Sequence, residues 1–184
     1  MKTTFKMKKF IAILLLCNYS CSESIPRHAL NKKKAGFLNQ SAYRNKKLFF
    51  QEEQELKAAA KKDSLFIYNS TEAGFLFAYK KQVNKSLDTP QKGEVVRFKY
   101  QIEDLNNKVL YDKKTLGIVE YSLDQEDLLP GLREGLRIMK TGEVVVFLFP
   151  SYLCYGYQGD GEKINVNQPL RFTIERLSNI ENNL

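Results

Sequence analysis

Several scarcities narrow what this chain can do. It has one histidine, His28, no tryptophan and three cysteines in 184 residues. A single histidine nearly excludes a histidine-based metal site or a serine triad. Cys17 and Cys21 sit in a leader-like start, which leaves Cys154 as the only other thiol, with no partner for an internal disulfide. A catalytic cysteine needs a neighbouring base, and none is evident, so burial is the plain expectation for Cys154. Long apolar runs are scarce too. The stretch Phe10–Leu16 behind Lys2, Lys6, Lys8 and Lys9 is too short to span a bilayer.

That basic start and short apolar middle have the layout of a secretory signal. Cys17 follows the bulky Leu16, whereas Cys21 follows the small Ser20, and NYSC resembles a relaxed bacterial lipobox. Residues 1–20 are therefore expected to be a lipoprotein signal peptide, and Cys21 the acylated anchor. An ordinary signal peptide cleaved nearby is the alternative. The expected location is the cell envelope, facing the periplasm, with Ser22 after Cys21 leaning towards the outer membrane.

The net charge of +8 would ordinarily suggest nucleic acid or a membrane surface. Its placement decides between them. The first 20 residues carry four lysines and no acid, and residues 22–62 hold ten Lys/Arg against four acids. Residues 63–184 hold fifteen against seventeen. The basic character belongs to the leader and stalk, which fits an anionic membrane surface and leaves no nucleic-acid partner to expect.

Residues 21–40 read as a flexible basic tether. Residues 41–62 are rich in Ala, Leu, Glu, Lys and Gln and predict a helix, with Glu53 and Lys57 as a favourable i, i+4 pair. Phe49, Leu56 and Ala60 form its weak apolar stripe. That stripe predicts a face docked on the domain, and this helix is also the one segment offering a homodimer contact. From residue 74 the pattern is β. GFLFAYKKQ is a strand, and Val96, Phe98, Tyr100 and Ile102 alternate with polar residues in the next. KVLYD follows a turn at Asn106-Asn107, and Val119, Tyr121 and Leu123 alternate again. GEVVVFLFP is apolar on both faces and should be central. LRFTIERL turns Leu170, Phe172 and Ile174 inward. In LLPGLREGLRIMKTG, Pro130 suits a first helical turn and Gly142 the left-handed position past the end, with Leu132, Leu136 and Met139 facing the sheet. The expected fold is α+β, an antiparallel sheet wrapped around one short helix and preceded by an N-terminal helix, the domain covering 63–184.

GEVVRFKYQIEDLNNKVLYD, LPGLREGLRIMKTGE and FPSYLCYGYQGD, in that order, resemble the FK506-binding-protein (FKBP) class of peptidyl-prolyl isomerases. The pattern P-G-x-x-E-G-L-x-x-M-x-x-G-E, from Pro130 to Glu143, is its most specific part. The leader, the helix and the YGYQGD loop together are similar to the gliding-motility-associated lipoprotein branch in Bacteroidetes. The resemblance implies a prolyl isomerase without cofactor or metal, acting on proline-containing client polypeptides, with a non-catalytic chaperone or scaffold as the alternative. It implies Tyr155, Asp112 and Tyr100 as catalytic residues. Tyr111, Val119, Leu128, Leu129, Leu132, Ile164 and Phe172 would line the substrate pocket, Tyr155 offering its hydroxyl and Ile164 a backbone N–H. Asp112 would orient Tyr155 or polarise the carbonyl's surroundings. Leu132 replaces a frequent tryptophan, Val119 a frequent aromatic, and Asn165-Val166 a Pro-Pro pair. By periodicity alone Tyr100, Leu132 and Phe172 read as core, and the YGYQGDG run as a turn.

Overall fold

The computed structural model describes residues 32–83 and 89–178. The expected signal peptide, Cys21 and the first part of the expected tether lie outside the described residues. Compactness divides the chain at residue 40. Of the first unit, residues 32–40 are described and are helical. The second unit, Ser41–Leu184, holds the sheet.

Helix α1 runs Lys32–Lys62, so it begins nine residues before the expected start at 41 and takes in part of the expected tether. Lys, Ala, Leu and Gln favour the helix, and together they outweigh the roughly 1 kcal/mol cost of Gly36. Its docking face also differs from the expected stripe. Leu56 is buried as anticipated, but Phe49 is 48% exposed, and Glu52 is buried instead. Leu48, Glu52, Leu56 and Ala60 stand at four-residue intervals, one row along the helix. Phe49 still meets the ring of Tyr152 edge-on at 5.1 Å.

Strands β1 (Asn69–Ser70), β2 (Leu76–Lys81), β3 (Val95–Glu103) and β4 (Val109–Tyr111) follow. A four-residue helix α2, Lys113–Leu116, was not expected; Asp112 caps it by accepting from the Lys114 N–H at 2.6 Å. Then come β5 (Val119–Ser122), α3 (Pro130–Ile138), β6 (Val144–Phe149), a 3₁₀ turn at Ser151–Leu153, and β7 (Leu170–Arg176). Every strand pairing is antiparallel, in the order β1-β2-β6-β7-β3-β4, with β5 alongside β3. The doubly apolar β6 is interior, flanked by β2 and β7.

Register fixes the core. Ile102 pairs with Phe172, Phe172 with Phe147, and Phe147 with Phe77, giving one row of apolar side chains across four strands. Helix α3 covers this face with Leu132 and Leu136, joined by Met139 just past its end, all but fully buried. It approaches closely because Gly135 has no side chain: a Cβ there would lie 3.1–3.3 Å from ring atoms of Phe147. Pro130 opens α3 as expected. Gly142 does adopt φ +85°, but in the turn into β6, since α3 stops at Ile138.

Candidate active site

Six separate elements bring the site together. Tyr100 comes from β3, Tyr111 from the end of β4 and Val119 from β5, while Leu128 and Leu129 enter α3 ahead of Leu132. Phe172 lies on β7, and Tyr155 follows the 3₁₀ turn. All of these, with Ile164, belong to one contiguous apolar cluster. Leu132, Ile164 and Phe172 are buried beneath it, whereas Tyr100, Tyr111, Val119, Leu128, Leu129 and Tyr155 are partly open and form the rim. The floor is aromatic. Tyr100 stacks on Phe172 at 6.1 Å and 12°, and Phe149 meets Phe172 edge-on at 5.5 Å.

Tyr155 is the polar group best placed for chemistry. Burial, followed by the nearby Tyr100, Cys154, Asp160 and Tyr111, pushes its phenol well above the ordinary tyrosine range. It therefore stays a neutral O–H donor at physiological pH. Burial raises Tyr100 as well. Among the described residues, neither hydroxyl has a hydrogen-bond partner. Cys154 is buried and unpaired, and its thiol is pushed up by burial and then by Glu52, so it is inert.

The segment after Tyr155 is folded around Asp160. One carboxylate oxygen accepts the N–H groups of Glu162, Lys163 and Ile164 at 2.9, 3.0 and 2.8 Å. The other accepts the Tyr111 hydroxyl. Lys163 donates to the Leu110 carbonyl at 3.1 Å, and its ammonium stands 4.7 Å from the Tyr111 ring centroid. Desolvation alone would raise Asp160. The Tyr111 hydrogen bond and the backbone N–H groups outweigh it and hold the acid at about 2. The same hydrogen bond pushes Tyr111 up to about 12.

Two expected roles are corrected. Asp112 is exposed and its carboxylate caps α2; the acid whose charge reaches Tyr155 is Asp160. The reason is local: a carboxylate directly before a short helix satisfies that helix's free N–H groups first. The Ile164 N–H is likewise committed to Asp160, so it is not offered to a ligand in this arrangement. Asp160 itself escaped sequence reasoning. Its signal was the G-D-G context, an Asx turn waiting for amides two to four residues on.

Residues 87–177 match the family model of the FKBP-type peptidyl-prolyl cis-trans isomerases. That segment belongs to this family. A probable FKBP-type isomerase, FkpA, of Neisseria meningitidis serogroup B is 32% identical over 121 residues, covering 65% of this chain and 42% of that protein. A probable FKBP-type isomerase of Haemophilus influenzae is 33% identical over 109 residues, covering 59% and 44%. The chain thus spans less than half the length of these curated relatives. Among solved structures, a peptidyl-prolyl cis-trans isomerase of Pseudomonas syringae superposes with a TM-score of 0.58 at 22% identity, over 72% of this chain and 93% of that one. FkpA of Escherichia coli gives 0.57 at 19% identity, over 94% and 81%. At such identities these two establish the FKBP fold.

Proposed function

We propose that this protein is a prolyl isomerase that accelerates rotation about X–Pro bonds in polypeptide clients. The observation that carries the reading is the half-buried Tyr155 hydroxyl, without a hydrogen-bond partner among the described residues, close to Tyr100 and in one cluster with the stacked Tyr100 and Phe172 rings. Amide resonance sets a barrier of about 18–20 kcal/mol, and unaided X–Pro exchange takes roughly tens to hundreds of seconds. No bond breaks, so neither nucleophile nor base is required. Planar amide carries more charge separation than twisted amide, and water stabilises it. An apolar rim of Val119, Leu128 and Leu129 removes that water around the prolyl ring. Tyr155 holds the carbonyl before the imide by a hydrogen bond that serves the twisted state. A 10⁴-fold acceleration requires only about 5.5 kcal/mol. The test is a proline-limited refolding assay with the full chain. Catalysis of the slow phase at substoichiometric protein supports the reading; an unchanged slow phase with a folded, soluble protein removes it.

A non-catalytic chaperone or scaffold is the second reading. It is favoured by Leu132 at the floor and by the commitment of the Ile164 N–H within its own loop. Cellular function that survives loss of Tyr155-dependent turnover would establish it.

The sequence adds a place of work. The lysine-rich start, the short apolar run and NYSC support a lipid on Cys21 and residence in the envelope, outer membrane before inner. Similarity to the gliding-associated branch supports clients in a motility and secretion apparatus. Cys21→Ser followed by membrane fractionation tests the anchor; a variant that remains in the membrane fraction overturns it.

A further inference from the structure

We propose that Glu52, on the N-terminal helix and outside the family segment, is a positioning residue for Tyr155. This rests on the isomerase reading for its consequence, though not for its geometry. Glu52 is 2% exposed in the middle of an otherwise apolar docking row between Leu48 and Leu56. One carboxylate oxygen accepts the Ser151 N–H at 2.8 Å and the other accepts the Ser151 hydroxyl at 2.6 Å. Ser151 is itself 2% exposed. Its carbonyl accepts the N–H groups of both Cys154 and Gly156, each at 2.9 Å. Those are the residues on either side of Tyr155. A single serine thus ties down both ends of the residue that carries the hydroxyl, and a carboxylate 99 residues away ties down the serine.

Packing against the apolar cluster holds Tyr155 on one side only. A cleft of about 400 Å³ opens between α1 and the turn, lined by Leu48, Phe49, Tyr152, Tyr155 and Tyr157 among others, so Tyr155 has room to relax on that side. Nor is docking a sufficient reason for a carboxylate at this position. Burying a charge is costly, and an apolar residue of similar size would join Leu48 and Leu56 at less cost. What an apolar residue cannot do is accept two hydrogen bonds with charge assistance. Without Glu52 the Ser151 N–H and hydroxyl lose their acceptor, and the turn must shift to find water.

The catalytic unit therefore extends back into α1. The experiment compares full-length wild type, Glu52→Ala, Glu52→Gln and Ser151→Ala. It measures kcat/KM on a prolyl peptide, the amide resonances of Tyr155 and Gly156, and the melting temperature. Glu52→Ala is expected to lower kcat/KM by about tenfold, the rate equivalent of one charge-assisted hydrogen bond, and to move both resonances well below the melting temperature. Glu52→Gln keeps an acceptor for the N–H and offers a donor to the hydroxyl oxygen, so it should recover activity to within about threefold of wild type. If Glu52→Ala melts earlier yet keeps its rate and both resonances, the residue merely docks the helix and the proposal is overturned. If Glu52→Ala does not fold, Ser151→Ala decides, because it deletes one hydrogen bond and keeps the other. A partial rate loss with the same two resonance shifts supports the proposal, and no change overturns it. An inactive wild type would instead defeat the isomerase reading. The resonance shifts in the variants would then still judge whether Glu52 positions Tyr155.

Discussion

Tyr155 and Asp160 divide the labour at the rim. Tyr155 presents a neutral hydroxyl, while Asp160 holds the following loop and pins Tyr111. Tyr155→Phe keeps the ring and removes only the donor, so we expect a folded protein with kcat/KM lowered by about tenfold in the same prolyl peptide assay. The pH dependence follows from the two shifted groups. Asp160 is depressed, so its contribution to the loop is complete above the ordinary aspartate range near 3.8 and is lost as pH falls through about 2. Tyr111 is raised, so its hydrogen bond is intact below its ordinary value of 10 and is lost as pH rises through about 12. Between pH 5 and 9 neither group changes, and Tyr155 remains a phenol. A flat profile of kcat/KM over that range is expected; a bell with a limb near neutrality would require a general acid or base that this site lacks. Of these residues the tyrosines were legible through the family motif. Asp160 was not: the G-D-G context marks its turn, but its meeting with Tyr111, 49 residues away, exists only in the folded chain.

At the level of elements, the contact between α3 and β6 is the most exacting. Phe147 cannot retreat from a side chain at position 135, because Phe75, Phe77 and Phe149 already surround its ring at 5.2–6.4 Å. Gly135→Ala would gain up to about 1 kcal/mol in helix propensity. Overpacking costs about 1–3 kcal/mol, so the net expectation is a loss of up to about 2 kcal/mol, read from the midpoint of a urea titration. A gain in stability would mean that the helix floats above the sheet instead of resting on the ring. Helix α3 and its inward face were readable from spacing and from Pro130. The docking face of α1 was not. A search for an apolar stripe passes over a glutamate, and Glu52 becomes an inward residue only when Ser151 is there to meet it.

Across the molecule, a second polar clamp joins the segment after α1 to β7. Arg171 donates to Asp63 at 2.5 Å and to the Tyr68 hydroxyl at 3.1 Å, and it lies 3.4 Å from Glu103. The side chains of Arg171, Asp63 and Glu103 are only 10–11% exposed. Burial would raise Asp63, but Arg171 and Tyr68 outweigh it and hold the acid below its usual range. Arg171→Ala leaves two nearly buried carboxylates without their cation, at a cost of about 3–5 kcal/mol. The loss should be largest above the ordinary aspartate range and shrink as pH falls through the depressed value. Denaturant midpoints at pH 7 and pH 3 check both statements; a loss that is equal at the two values would remove Asp63 from the clamp.

Alternation of period two, and the proline and glycines around α3, were sufficient to determine the strands from β2 to β7 and their inward faces, and the order of the family motifs pointed to the tyrosines. These are properties of short stretches, and a short stretch carries its own periodicity. The tertiary structure alone decided that Asp160 and not Asp112 faces the phenols, that the Ile164 N–H is committed within its loop, and that Glu52 reaches Ser151. Two of these depend on groups that meet across tens of residues: Asp160 and Tyr111 stand 49 apart in the chain, and Glu52 and Ser151 stand 99 apart. A buried polar group takes the nearest partner the fold presents, and no local pattern encodes that partner.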